Sequence, residues 1–374
     1  MASWQWNDQN KPTPTIGVRA TVGAVCVKDN PQASQRPYVF VRGSDSRLHA
    51  NWWDGGKWQW SDHGVPAGRT ILEKVGSVTV RDTPGAAQRP YTFVIGDDSK
   101  LYSNWWDGSQ WHWADHGAPS GRWVREGVGV VVVQDSPNAP ERPYAFVLTD
   151  DFRLWCSWWD GSTWHWAQHG APPSRTISRP LGVTTVRDTP SAFDRPYAYV
   201  ITADSRLWCS WWDGSTWHWA DHGTPPGQPV KKGAGVITVQ DTPNAAQRPY
   251  VFIQGYDSKL YSNWWDGSNW HWSAQGTPNG RLILDSVGAI TVRDAPNAAQ
   301  RPYAFVIGDD SKMYANWWDG STWKWADHGT ATGRVLERPG EVLTVQDNLN
   351  AAQRPYAFLI TDDSELWVNW WSLP

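Results

Sequence analysis

A tryptophan pair followed by a carboxylate and an imidazole recurs along this chain of 374 residues. In one copy, Trp111 and Trp113 are followed by Asp115 and His116. The apolar face of an indole can receive the C–H face of a sugar ring, and its N–H donates a hydrogen bond. A carboxylate accepts hydrogen bonds, and a neutral imidazole both donates and accepts. These residue types suit the recognition of a small ligand rich in hydroxyl groups.

The pattern supplies candidate binding residues in six copies. The first tryptophan of each Trp-x-Trp is interpreted as an aromatic platform, and the aspartate and histidine after it as polar contacts. These candidates are Trp58, Asp62, His63, Trp111, Asp115, His116, Trp164, His169, Trp217, Asp221, His222, Trp270, Trp323, Asp327 and His328. The Asp-His pair varies elsewhere, to Gln168/His169, Ala274/Gln275 and Asp8/Gln9. Such variable positions are either ligand contacts of unequal strength or loosely constrained surface residues.

These residues belong to a unit of 53 residues that occurs seven times. The tripeptide Arg-Pro-Tyr marks the units, beginning at Arg36, Arg89, Arg142, Arg195, Arg248, Arg301 and Arg354. The last unit ends before its own Trp-x-Trp, and the missing piece stands at the other end of the chain as Trp4-Gln5-Trp6. The spacing therefore predicts a closed ring in which residues 1–10 complete the seventh unit.

The residue pattern of each unit predicts β-structure throughout. In the second unit, residues 75–82, 91–95, 101–106 and 111–115 are rich in β-branched and aromatic residues, and Asp107-Gly108 is a hairpin signal. We therefore expect an all-β single domain over residues 1–374, a seven-bladed β-propeller with four strands per blade and a last blade closed by the N-terminal strand. An open β-solenoid is the alternative, but it does not explain the displaced Trp-x-Trp.

Most of the 32 tryptophans are expected to serve the scaffold. The Trp105 series is predicted to fill the wedges between blades, whereas the Trp111 series, on the outermost strand, is either a wedge or a sugar platform. Asp82 and Arg89 have counterparts in all seven units. They bracket a loop rich in turn-forming residues, and the pattern predicts an ion pair that fixes this loop.

Charge and composition exclude several classes. The net charge of −4 leaves no basic patch for nucleic acid, and no apolar run is long enough for insertion into a membrane. The N-terminus lacks the features of a classical signal peptide, so the localisation is open and release would follow a non-classical route.

Three cysteines cannot build a disulfide framework. His112 and His116 on one strand would lie about 13 Å apart, too far for one tetrahedral metal ion, so neither a metal nor a cofactor is predicted.

The unit Arg-Pro-Tyr … Asn-Trp-Trp-Asp-Gly-Ser-x-Trp-x-Trp-Ala-Asp-His-Gly resembles the repeat of the Photorhabdus fucose-binding lectin family over all seven units. The resemblance implies a seven-bladed propeller that binds L-fucose and related galactose-type sugars at several sites between adjacent blades. It also implies a homo-oligomer and a role in bacterial interaction with host glycans. The copies with Ala274/Gln275 and with Gln9/Asn10 depart from the unit.

The sequence thus predicts a lectin without enzymatic activity, whose partners are fucosylated or galactosylated glycans. Weak single sites would gain strength through avidity on clustered glycans. A propeller glycosidase is one alternative, but it needs two carboxylates at one centre. The carboxylates outside the repeat pattern are scattered: Glu73, Glu126, Glu141, Asp194, Asp285, Glu337, Glu341 and Glu365. A protein-interaction scaffold is the other alternative, although seven similar surfaces suit a small repeated ligand better.

Overall fold

The computed structural model describes residues 3–372 and contains seven four-stranded antiparallel sheets arranged as the blades of a β-propeller. Blade 1 comprises β2 (Val18–Val27), β3 (Arg36–Gly43), β4 (Leu48–Trp53) and β5 (Trp58–Gly64), and blade 2 comprises β6 (Ile71–Val80), β7 (Arg89–Gly96), β8 (Leu101–Trp106) and β9 (Trp111–Gly117). Blade 3 comprises β10 (Val124–Val133), β11 (Arg142–Thr149), β12 (Leu154–Trp159) and β13 (Trp164–Gly170). Blade 4 comprises β14 (Ile177–Val186), β15 (Arg195–Thr202), β16 (Leu207–Trp212) and β17 (Trp217–Gly223). Blade 5 comprises β18 (Val230–Val239), β19 (Arg248–Gly255), β20 (Leu260–Trp265) and β21 (Trp270–Gly276). Blade 6 comprises β22 (Ile283–Val292), β23 (Arg301–Gly308), β24 (Met313–Trp318) and β25 (Trp323–Gly329). Blade 7 comprises β26 (Leu336–Gln346), β27 (Gln353–Thr361), β28 (Leu366–Ser372) and β1 (Ser3–Asp8). Short 3-10 turns occur at Pro66–Gly68 and Pro278–Gly280. The predicted fold class is confirmed.

The seventh blade is closed by the N-terminal strand, as predicted. β1 pairs antiparallel with β28, and the register places Trp4 opposite Trp371 and Trp6 opposite Asn369. Of the residues 1–10 assigned to this closure, Met1 and Ala2 lie outside the described residues. β1 thereby becomes the outermost strand of a sheet whose other three strands come from the C-terminal end of the chain.

Strand order gives the ring two distinct ends. In each blade, the loop between the first and second strands and the turn between the third and fourth strands lie at one end, which we call the loop face. The turns between the second and third strands, and the connections from one blade to the next, lie at the other end, the connection face. These positions follow from the antiparallel order of consecutive strands in every sheet.

The innermost strands of neighbouring blades pack closely because glycine occupies the middle of most of them. Gly129 has φ of +151°, and a Cβ on it would lie 2.7 Å from Cγ2 of Val183 in the next blade. A β-bulge in the ladder between Gly127 and Gly129 accompanies this conformation. Only glycine tolerates both the dihedral angle and the close approach.

Buried apolar side chains join each blade to the next. Between blades 2 and 3, for example, the buried Phe93 and Ile95 pack in one cluster with Ala145 and Val147, and Trp164 and Trp166 cover it from the outside. Burying a side chain of the size of phenylalanine or isoleucine contributes about 1.5–3 kcal/mol, so these layers hold the ring together. Of the helices within residues 3–372, none has the length and apolar character needed to cross a membrane.

A polar contact accompanies each apolar layer. The side chain of the residue before each Arg-Pro-Tyr accepts a hydrogen bond from a backbone N–H at the end of the innermost strand of the preceding blade or directly after it. The seven pairs of acceptor side chain and donor backbone are Gln35–Gln346, Gln88–Lys28, Glu141–Arg81, Asp194–Gln134, Gln247–Arg187, Gln300–Gln240 and Gln353–Arg293. These contacts fix each loop of the loop face to its neighbouring blade.

Candidate functional site

The second tryptophan of each Trp-x-Trp binds the preceding blade. Trp113 Nε1 donates a hydrogen bond to the backbone carbonyl of His63 at 2.8 Å. The other six donor and acceptor residues are Trp60–Gln9, Trp166–His116, Trp219–His169, Trp272–His222, Trp325–Gln275 and Trp6–His328. All seven interfaces therefore carry this bond, and this tryptophan series has a structural role that the sequence pattern did not reveal.

Replacing Trp113 with phenylalanine should lower the free energy of unfolding by about 1–3 kcal/mol, because the half-buried carbonyl of His63 loses its donor. Urea denaturation followed by fluorescence measures this loss. Trp105→Phe is the matched control, since Trp105 Nε1 donates to no atom of residues 3–372. An equal loss in both variants would show that the hydrogen bond contributes nothing.

The candidate histidines lie behind the first tryptophan series. The rings of His63 and Trp111 are 4.3 Å apart and nearly perpendicular, and the four other histidines make the same contact with the following blade. His63 Nδ1 lies 2.8 Å from Asn104 Oδ1, and Asn104 Nδ2 donates to the carbonyl of His112. The amide orientation therefore makes Nδ1 of His63 the donor.

Burial keeps these imidazoles neutral. It lowers the pKa of His63 and lowers the pKa of His116, His169, His222 and His328 to about 4. The neutral rings hold the tryptophans in place from inside the blade interface. Where glutamine replaces histidine, Gln275 Nε2 donates to Ser262 Oγ at 3.0 Å, much as His116 Nε2 lies 2.8 Å from Ser103 Oγ.

The candidate aspartates lie at the opposite end of the outermost strand, on the connection face. Asp62 pairs with Arg47 at 2.8 Å and accepts the N–H of Gly64. Its counterparts Asp115, Asp221 and Asp327 pair with Lys100, Arg206 and Lys312. The structure therefore brings the tryptophans and histidines together, whereas none of these aspartates lines a cavity that the tryptophans line.

Cavities open on the loop face between neighbouring blades. Four are described, between blades 1 and 2, 3 and 4, 4 and 5, and 6 and 7, with volumes of about 600, 360, 410 and 400 Å³. Small-molecule sites commonly measure about 300–1,000 Å³. The same positions of the repeat line all four cavities, so the structure repeats one site.

The cavity between blades 4 and 5 shows the shared lining. Blade 4 contributes Asp188, Arg195, Tyr197 and Trp211, and blade 5 contributes Trp265 and Trp270. Tyr197 and Trp211 are stacked with ring centroids 5.8 Å apart, and the rings of Trp265 and Trp270 are inclined at 53° on the facing wall. Candidate residues Trp111, Trp217 and Trp270 line cavities in this way, as does Trp4 between blades 6 and 7.

The polar groups of the cavity between blades 4 and 5 comprise an ion pair, the predicted His222, Gln247 and indole N–H groups. The predicted Asp–Arg pair occurs in all seven units, and in blade 4 it joins Asp188, which is 61% exposed, to Arg195, which is 19% exposed. The N–H groups of Trp211, Trp265 and Trp270 donate to no atom of residues 3–372 and are not buried. The cavity thus offers one carboxylate acceptor, several donors and flat apolar surfaces.

Sequence reasoning missed part of this lining. The arginine and tyrosine of Arg-Pro-Tyr and both residues of Trp-Trp line the cavities, although the repeat pattern predicts a loop-fixing role for the arginine and a wedge between blades for the first tryptophan. Their constant spacing beside Trp-x-Trp was the available signal. The described residues contain no group of three His, Cys, Asp or Glu side chains placed to hold a metal ion, and Cys156 and Cys209 are buried free thiols.

Comparisons with solved structures identify proteins of similar fold. The lectin of Aleuria aurantia, a six-bladed β-propeller that recognises fucose, was solved with α-methyl-L-fucoside; it is 15% identical, with 86% of this chain and 99% of that chain covered and a TM-score of 0.53. AofleA from Arthrobotrys oligospora is 11% identical over 89% of this chain and 91% of that chain, with a TM-score of 0.53. BBS1N, solved in complex with ARL6DN, is 12% identical over 99% and 97%, with a TM-score of 0.56.

At these identities the similarity establishes the β-propeller fold. The coverage of the Aleuria lectin fits six blades superposed on six of the seven found here. No protein-family model matches the chain, and no curated protein matches its sequence.

Proposed function

We propose that this protein is a multivalent lectin that binds L-fucose and related galactose-type sugars in the cavities between adjacent blades. The observation that carries the proposal is the repetition of one cavity, with the same aromatic walls and the same Asp–Arg pair, at four described interfaces. The fold is shared with a lectin that was solved with α-methyl-L-fucoside. Clustered host glycans are the proposed target, and a homo-oligomer is the proposed assembly.

The lining suits a galactose-type ring. In such a sugar the axial hydroxyl leaves a continuous patch of C–H groups on one face, and L-fucose carries a methyl group where galactose carries a hydroxymethyl group. This apolar patch would lie on an indole such as Trp270, while the hydroxyls meet the free carboxylate oxygen of Asp188 and the open indole N–H groups. Each sugar hydroxyl loses hydrogen bonds to water when it gains hydrogen bonds to the protein, so the net gain is small and a single site binds weakly.

Multivalency compensates for weak single sites. The cavities lie on one face of a rigid ring, so several can meet a surface of clustered glycans at once. Linked binding of this kind raises the apparent affinity by about 10²–10⁴ without new contacts. The geometry thus favours dense glycan surfaces over free monosaccharides.

The proposal is tested by titration with methyl α-L-fucoside and by a glycan array. We expect saturable binding, array signals from fucosylated or galactosylated glycans, and competition by the free sugar. Trp270→Ala should remove the site between blades 4 and 5 and lower the number of bound sugars by one, because a cavity wall is lost. The control Trp272→Phe should leave that number unchanged, since this indole binds the carbonyl of His222. A folded protein with no response on the array would overturn the lectin proposal.

We also propose that the protein is not a hydrolase. In the cavity between blades 4 and 5 the lining carboxylate is Asp188, and it is paired with Arg195. A glycosidase needs two carboxyl groups about 5–9.5 Å apart across the scissile bond. Of the carboxylates outside the repeat pattern, Asp194 lines the cavity between blades 3 and 4, where it is engaged by Arg187 and by the backbone N–H of Gln134. The others lie away from the four cavities, on innermost strands, in a contact between blades or in a turn: Glu73, Glu126, Asp285, Glu337, Glu341, Glu141 and Glu365.

A protein-interaction scaffold is the second candidate. The connection face exposes large apolar side chains, among them Trp123 at 70%, Tyr256 at 58% and Leu284 at 54%. A ring that binds no glycan but retains a protein partner through these side chains would favour this function. The Trp270→Ala variant separates the two, because Trp270 lies on the loop face.

A further inference from the structure

One cavity carries an aromatic side chain at a position of its wall where the other units carry a small residue or proline. Two residues before each Arg-Pro-Tyr, six units carry a small residue or proline: Ser34, Ala87, Pro140, Ala246, Ala299 and Ala352. The fourth unit carries Phe193, which is 38% exposed and lines the cavity between blades 3 and 4. Ala87 and Ala352 line their own cavities from the same place.

The phenylalanine ring bridges two segments of the loop face. It extends from its loop towards the turn at Gly214, and its Cζ lies 2.6 Å from the place that a Cβ on Gly214 would occupy. Gly214 also has φ of +108°, so glycine is needed there both for the backbone conformation of the turn and to leave space for the phenyl ring of Phe193. Phe193 thus adds an aromatic surface next to Trp212 and Trp217, which line the same cavity.

The loop that carries Phe193 is held firmly. The adjacent Asp194 is 7% exposed, accepts the backbone N–H of Gln134 at 2.9 Å and pairs with Arg187. Its carboxylate is therefore fully engaged in joining blades 3 and 4. A surface positioned in advance loses little conformational entropy when a ligand binds to it.

From these contacts we propose that the cavity between blades 3 and 4 prefers glycosides with a planar apolar aglycone, which stacks on Phe193 while the sugar occupies the shared part of the site. The inference rests on the proposed lectin function. Asp135, Arg142 and the indoles serve the sugar here as their equivalents do in the other cavities. Phe193 is the additional surface, and its chemistry matches an aromatic ring rather than a hydroxyl group.

The test is a titration of the full chain with methyl α-L-fucoside and with phenyl α-L-fucoside. We expect one class of sites for the methyl glycoside. For the phenyl glycoside we expect one of these sites to bind about tenfold more tightly than the rest, which corresponds to about 1.4 kcal/mol. Phe193→Ala should lower the affinity of this site for the phenyl glycoside about tenfold, to that of the other sites, and should change the affinity for the methyl glycoside much less.

The matched variant introduces a phenylalanine at the equivalent position of the neighbouring cavity. Ala246→Phe places a ring at the same position between blades 4 and 5, where Gly267 corresponds to Gly214 and has open space around it. Two tight sites for the phenyl glycoside are expected in this variant. Equal affinity for both glycosides, or a tight site that survives Phe193→Ala, would overturn the inference. Failure of both glycosides to bind would instead overturn the proposed lectin function.

Discussion

Removing residues 1–10 should destabilise the whole ring by about 5 kcal/mol or more, because it takes the outermost strand from blade 7. Trp4 packs at 5.5 Å against Trp371, and Trp6 Nε1 donates to the carbonyl of His328 at 2.8 Å. Loss of one large buried aromatic side chain typically costs about 3–5 kcal/mol. Removal also exposes the edge of β28, which invites pairing between molecules. Urea denaturation and light scattering measure both effects.

Two variants separate closure from the loss of single contacts. Trp6→Phe keeps the strand and loses one hydrogen bond, so its loss of stability should be about 1–3 kcal/mol, as for Trp113→Phe. Adding residues 1–10 back as a separate peptide should restore part of the stability of the truncated ring. A truncated chain with an unchanged unfolding midpoint would contradict closure by β1.

Acidification from pH 6.5 to pH 4 should unfold the protein or bring it close to unfolding. The pKa of His116, His169, His222 and His328 is about 4 in the fold because burial disfavours the charged ring, whereas an unfolded histidine has a pKa of about 6.5. In this window the unfolded chain binds more protons, so the stability present above pH 6.5 declines as the pH falls towards 4. Each histidine contributes on the order of a few kcal/mol, and four together match the total stability of a typical domain of about 5–15 kcal/mol.

The chain itself supplies the control for this prediction. His116→Gln should keep the hydrogen bond to Ser103, as Gln275 keeps its bond to Ser262, while removing one titrating group. The variant should therefore lose less stability than the parent between pH 6.5 and pH 4. Aspartates in the turns of the loop face, such as Asp54 with a pKa of about 2, lose their charge only at lower pH and do not contribute to this window. A stability that stays constant over the window would contradict the buried neutral imidazoles.

The sequence allowed the fold to be predicted because the repeat fixes both the number of blades and the place of the missing strand. The indoles could be placed on faces, but partners from the neighbouring blade do not follow from a period of 53 residues. The bond from Trp113 to the carbonyl of His63, and the stacking of Trp105 on Tyr91, therefore required the structure.

The candidate site was predicted only in part for a related reason. Trp111 and Asp115 are close in sequence, but an extended strand places them at opposite ends of the blade, and Asp115 lies beside Lys100 instead. The acidic group of the cavity comes from another part of the unit, as with Asp29 in the cavity that Trp111 lines. Asp29 and Arg36 were interpreted as loop supports from their invariance, and that invariance is equally expected of a site that is repeated in every blade.

The seven Trp-to-carbonyl bonds run in the same direction around the ring, each from one blade to the one before it. In an open array of seven repeats, an end repeat has one neighbour and can fray alone. In this ring every blade has two neighbours, and rupture of one interface leaves each blade still held on its other side. Release of a blade therefore requires two ruptures together, which makes the first opening reversible and the escape from the folded state slow.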